Sequence, residues 1–186
     1  METLAGLKQL EGQFSLVGDR VVTLKAKLEG LLFRAQRIAN AQKIHMPNTD
    51  SMFGYDLQHF RRDIRGFSQD ISGLPVLLGS LERTATYDER AAKFAQNVMR
   101  LAVRITQSMR SLHDMSVLAH QHIRTADHKI EAWYISQEIE ELVMKGQGLP
   151  TSANKIVIAC STPPAGSAPA APSPPPTTPP GTPPAT

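Results

Sequence analysis

Six histidines and one cysteine are the side chains of this 186-residue chain best suited to metal binding, phosphotransfer or nucleophilic chemistry. Asp56-x-x-His59 and His128-x-x-Glu131 each set a carboxylate and an imidazole one helical turn apart, the spacing at which one helix can offer two ligands to one ion. A di-metal bundle site needs two Glu-x-x-His pairs and two further inward carboxylates, and the sequence lacks that set. His113 and His120 share a helical face, while His122 points elsewhere. The spacings predict solvated or seam-edge histidines, no metal and no other cofactor. A phosphate-accepting histidine on a helical bundle ranks third among the functions considered. Cys160 has no partner for an intrachain disulfide and precedes a proline-rich tract where nothing would hold a base against it. Gly66, Gly73 and Gly79 lack the preceding strand and the Lys-Ser/Thr ending of a phosphate-binding loop. The residue pattern argues against an enzyme.

Charge carries more information. The formal net charge is +3, which permits anionic partners without requiring them. Between Arg20 and Lys43 six basic residues stand against Glu29 alone, and between Arg90 and Lys129 seven stand against Asp114 and Asp127. Arg61, Arg62 and Arg65 line one helical face and are candidate anion contacts. The segment Glu131–Glu141 holds four acids and no base. Acids near a helix C-terminus oppose the macrodipole, so a basic compensation is expected there. Dense Lys/Arg clusters interleaved with aromatics are lacking, which places binding of nucleic acid or an anionic membrane second.

Long helices must position all of these groups. From Leu7 to Ile38 ten apolar residues recur three and four apart, which predicts a helix over about 3–45. Phe53, Leu57, Phe60, Ile64, Phe67, Ile71 and Leu74 repeat the pattern and predict a second helix over 51–74, closed by Gly73 and Pro75. Thr86-Tyr87-Asp88-Glu89 reads as a capping box, followed by a run to Lys145 without Gly or Pro, so the third helix is expected over 87–145. Its seam runs from Ala91 to Trp133 and then changes phase, with Ile135, Ile139, Leu142 and Val143 on another stripe. A bend or a change of partner is expected near 130–135.

All Lys, Arg, Asp and Glu lie at or before Lys155, while 11 of the 14 prolines lie in residues 161–186. Residues 151–186 are therefore expected to form a disordered Pro/Ala/Thr-rich tail. Ile156–Cys160 is left open as a short strand, a docking peptide or a sticky patch.

The sequence thus predicts an all-α, elongated antiparallel three-helix coiled-coil bundle with a long third helix and a disordered tail. The third helix would outrun its partners by roughly 25 Å at 1.5 Å per residue. That overhang makes Ile130, Trp133, Ile135, Ile139, Leu142 and Val143 the expected partner-binding surface. The predicted function is a non-enzymatic scaffold or assembly subunit pairing with itself or another helical protein. The start Met1-Glu2-Thr3-Leu4 lacks the basic, apolar pattern of a secretory signal, and no stretch reaches the ~18 apolar residues of a transmembrane segment. A cytoplasmic or otherwise intracellular location is expected.

Overall fold

The computed structural model describes residues 2–43 and 52–163. Five α-helices follow one another: α1 (Glu2–Lys43), α2 (Phe53–Thr84), α3 (Glu89–His122), α4 (Ala126–Gly146) and α5 (Leu149–Ser161). They make a four-helix bundle in which α4 and α5 together supply the fourth side. The expected three-helix coiled coil with a long third helix is not what forms.

The first two helices obey their spacing. Nine of the ten seam residues of α1 are buried, Ile38 being only partly covered, and all seven seam residues of α2 are buried. Pro75 does not end α2, which continues to Thr84. A proline inside a helix removes one donor, here the bond to the Ile71 carbonyl, and crowds the preceding turn. The seam beyond it offsets that cost: Leu78 is fully buried and Leu81 packs on the core, close to Gly6 of α1. Val76 beside them stays exposed.

The 59-residue run without Gly or Pro breaks at Ile123–Thr125. Ile123 and Thr125 both adopt extended backbone, and the Ile123 N–H closes α3 on the Ala119 carbonyl. β-branched residues tolerate that conformation well. The reason for the break is tertiary. A straight helix would leave Ala132, Ile135, Ile139 and Leu142 in water; folding back buries all four against α2 and α3. The expected bend is therefore a reversal, about ten residues earlier than the change of phase suggested.

Contacts fix the topology. Arg20–Asp70 and Lys27–Asp63 set α1 antiparallel to α2. Asn97 donating to Glu11 and Gln36 beside His122 set α1 parallel to α3. Arg61 with Glu131 and Lys145 with Ser68 set α4 parallel to α2. Helices α2 and α3 lie diagonally opposite, as do α1 and α4. Residues 85–88 cross that diagonal, and Asp88 caps α3 by accepting from the N–H groups of Arg90 and Ala91.

Residues 149–161, read from the sequence as part of the tail, belong to the fold. Leu149, Ala153, Ile156 and Cys160 of α5 are buried, and the Cys160 carbonyl accepts from the Asp88 N–H at 3.0 Å. The chain kinks rather than turns at Gln147–Gly148, where both residues keep right-handed helical dihedrals. Pro150 has no N–H to give the Gly146 carbonyl. The buried Thr106 hydroxyl is 3.2 Å from that oxygen and 2.9 Å from the Ala102 carbonyl, and is shared between them. The expectation of disorder for residues 164–186 lies outside the described residues.

Gly146 makes this kink fit. A Cβ there would stand 2.1 Å from Met109 Cε, and Met109 is fully buried. Gly146→Ala is therefore expected to destabilise by about 1–3 kcal/mol through overpacking, although Ala is the better helix former. Gly12→Ala and Gly30→Ala, where a Cβ meets nothing within 4 Å, are expected to stabilise by up to about 1 kcal/mol. Thermal melts of the three variants test the contrast; a Gly146→Ala protein as stable as its parent would refute the close approach of α4 to α3.

Candidate interaction surface

Helix α4 presents three faces. Its inner face, Ala132, Ile135, Ser136, Ile139, Leu142 and Gly146, is buried in the bundle. Three of the residues expected to meet a partner, Ile135, Ile139 and Leu142, are thus core residues of this chain, and Val143 is half-buried against the same core. The overhang that would have exposed them does not exist, because α4 lies alongside its neighbours.

The edge towards α2 is ionic. Glu138 Oε1 accepts from Arg61 Nε at 2.8 Å and from Arg65 Nη2 at 2.9 Å, and Arg61 Nη1 lies 3.3 Å from Glu131. Arg61 also stacks over the Tyr134 ring at 4.3 Å. Burial disfavours its charge, but the hydrogen bonds it donates to Glu138 and Glu131, with the attraction of those carboxylates, outweigh that and raise its pKa further. The acid-rich segment thus finds its basic compensation inside the chain. Arg61 and Arg65, candidate anion contacts in the sequence, are engaged by Glu138, whereas Arg62 is exposed on the outside of α2. Ser136 Oγ and Glu138 Oε2 are buried without a hydrogen-bond partner among the described residues.

The outer face carries Ile130, Trp133 and Met144, which are 56%, 48% and 64% exposed. Positions 130 and 144 are four turns apart and share a face with 133. Trp133 packs edge-on against Tyr134, ring centroids 5.1 Å apart, so the indole is braced on one side and open on the other. Gln137 and Glu140, also exposed, fall on the same face between Trp133 and Met144, and Glu141 is exposed beside it. Of the six residues expected to bind a partner, only Ile130 and Trp133 lie open to solvent. Tyr134 and Met144 carry no such signal in the sequence, because the seam of α3 continues in phase through the reversal to Trp133 and gives the outer face of α4 the spacing of an inner one.

The histidines fall into separate settings. His128 meets the Phe53 ring edge at 5.5 Å and crowds Gly54, while Glu131 of the same motif faces Arg61. His59 tilts against Tyr55 at 4.3 Å, and His122 lies 3.5 Å from Gln36 Nε2. His45 is outside the described residues. Among the described residues no group of three or more His, Cys, Asp or Glu could hold a metal ion, and no helix is long and apolar enough to cross a membrane. Cys160 is wholly buried, and burial, with a smaller push from the Asp88 carboxylate, raises its pKa, so it is held as a thiol.

Cross-helix ion pairs converge on α2. Arg20–Asp70, Lys27–Asp63 and Arg34–Asp56 join it to α1, Arg61 and Arg65 join it to α4, and Lys155–Glu82 joins it to α5. A half-open cavity of about 320 Å³ between α1 and α2 is walled by two of these pairs and by His59, with no excess of either charge. No protein family model matches this chain, and neither a curated protein nor a solved structure shows a significant likeness to it.

Proposed function

We propose that this protein is a non-enzymatic interaction module, an assembly subunit that takes a helical partner on the outward face of α4. One observation carries the reading. The bundle completes its own core with four sides, yet Ile130, Trp133 and Met144 remain aligned and open on one helix. Single exposed apolar residues are ordinary; an aligned strip that includes a braced tryptophan is the composition of an interface anchor. A bundle of packed helices offers ridges and grooves that fit a further helix. Glu140 on this face and Glu141 beside it would supply the polar contacts of such an interface and bias partner choice towards basic residues.

The test places a photo-crosslinking amino acid at Met144 in the native host and compares parent with an Ile130→Ser, Trp133→Ser double variant. Discrete adducts, either a second copy of the chain or another protein, are expected in the parent and should disappear in the variant while its circular dichroism stays helical. Adducts that persist unchanged in the double variant would sink the α4 interface.

A further inference from the structure

We propose that the groove between the parallel helices α1 and α3 is a second docking site, built to hold an acidic amphipathic helix of a partner protein. Lys8 Nζ lies 5.5 Å from the Phe94 ring centre, Asn97 bonds Glu11, and Gln36 meets His122, so the same edges of α1 and α3 face each other along their length. A cavity opens at each end of this groove. The first, about 400 Å³, is lined by Leu4, Lys8, Glu89, Arg90, Lys93 and Phe94. The second, about 220 Å³, is lined by Gln36, Asn40, Lys43, Gln121, His122 and Arg124 and contains no carboxylate.

The positive excess is concentrated at the two cavities, and between them both signs occur. Lys25 stands seven residues after Gly18, whose Cα faces Ile105, and Arg100 and Arg104 stand seven after Lys93 and Asn97, so all three fall on the groove edge. Together with Lys8, Arg90, Lys93, Lys43 and Arg124 they make eight cations, against Glu11, Glu29, Glu89 and Asp114, which stands fourteen residues after Arg100. The excess of four on this one edge is larger than the net +3 of the whole chain. The ion pairs that neutralise the other faces each have a partner on α2, which lies diagonally opposite α3. Arg100 and Arg104 are exposed and form no ion pair with a described residue.

The floor of the groove is apolar. Leu4 and Leu32 of α1 and Phe94, Leu101 and Met115 of α3 are only half-buried, each with one side on the core. Val22 and Leu118 are about half exposed at the rims, 48% and 46%. An apolar floor between cationic rims is the complement of a helix with an apolar stripe and flanking carboxylates. A nucleic acid would use the rims but lay phosphates over the floor, and the aromatic ring of that floor, Phe94, is half-buried beneath Lys8. A bilayer would meet the rims and leave the floor unfilled. From Lys8 to Lys43 the groove runs roughly 50 Å, room for a partner helix of about 30 residues.

The experiment uses the full chain and three fluorescent probes read by anisotropy. One is a designed amphipathic peptide of about 28 residues, with leucines at three-four spacing and flanking glutamates; the second has the same composition scrambled; the third is an oligothymidylate of similar length. The amphipathic peptide is expected to bind saturably and at least about tenfold more tightly than the scrambled one. Arg100→Glu with Arg104→Glu should weaken it at least about tenfold, the corresponding Gln pair less, and Arg62→Glu on the outside of α2 not at all. The Ile130→Ser, Trp133→Ser variant should bind it normally, which separates this groove from the α4 face. Equal binding of the scrambled peptide would reduce the groove to a bare positive field and overturn the proposal. So would an oligothymidylate that binds more tightly and displaces the helix, or a double Glu variant that stays helical and binds like the parent.

Discussion

A chain ending at Pro150 is expected to lose most of the stability of the bundle, whereas one ending at Pro163 should keep the melting temperature of the full protein. The shorter chain lacks Ala153, Ile156 and Cys160, all buried, and bares the ends of α2 and α3 that α5 covers. Removing a buried Ile side chain alone costs about 2–5 kcal/mol, and here the opposing surface is exposed as well. A total loss of at least about 5 kcal/mol stands against the 5–15 kcal/mol that such a domain commonly has in hand. It also loses the bond from the Asp88 N–H to the Cys160 carbonyl, which ties the diagonal connection to the end of α5. Urea unfolding of both truncations, followed by far-ultraviolet circular dichroism, measures the difference. If the two midpoints agree, α5 contributes nothing to the core and the fourth side of the bundle ends with α4.

Ile139→Ala and Trp133→Ala should separate stability from recognition on a single helix. Ile139 is wholly buried between α2 and α3, so its truncation is expected to cost about 2–5 kcal/mol. For a domain of this size that is a fall in melting temperature of roughly 5–20 °C. Trp133 is half exposed and its ring packs edge-on against Tyr134 on the outside of α4, so Trp133→Ala should cost less than about 1 kcal/mol. The straight third helix predicted from the sequence would have put both residues on the overhang, where neither change touches the fold. Thermal melts of the two single variants decide: comparable losses would place the indole in the core and remove the outward strip on which the α4 interface rests.

Part of the candidate surface was legible beforehand. The phase change after Trp133 pointed to a bend at 130–135, but α4 runs unbroken through those residues and the reversal lies upstream at Ile123–Thr125. It did not say which of the two stripes, Ile130–Trp133 or Ile135–Leu142, would be covered. Both have the spacing of a buried face, and only the position of α2 and α3 assigns one to the core. The same holds for Arg61 and Arg65. Their face was readable from the sequence; their pairing with Glu138, more than 70 positions away, was not.

The sequence by itself determined the helical class and the inner faces of the first two helices and of α3. Apolar residues three and four apart admit one backbone period, and burial of that face follows from the hydrophobic effect. It also holds the inner face of α4 and α5. Ala132, Ile135, Ile139, Leu142, Gly146, Leu149, Ala153, Ile156 and Cys160 keep one alternation of three and four across two glycines and a proline. Local propensity reads Gly146, Gly148 and Pro150 as breakers, but Thr106 on a neighbouring helix satisfies the carbonyl that Pro150 cannot. Only the tertiary structure decided that the chain reverses at Ile123–Thr125, because nothing local forbids a helix there. The free energy that favours the turn comes from closing a fourth wall over α2 and α3, surfaces formed by residues 53–84 and 89–122, and so it exists only once those helices have packed.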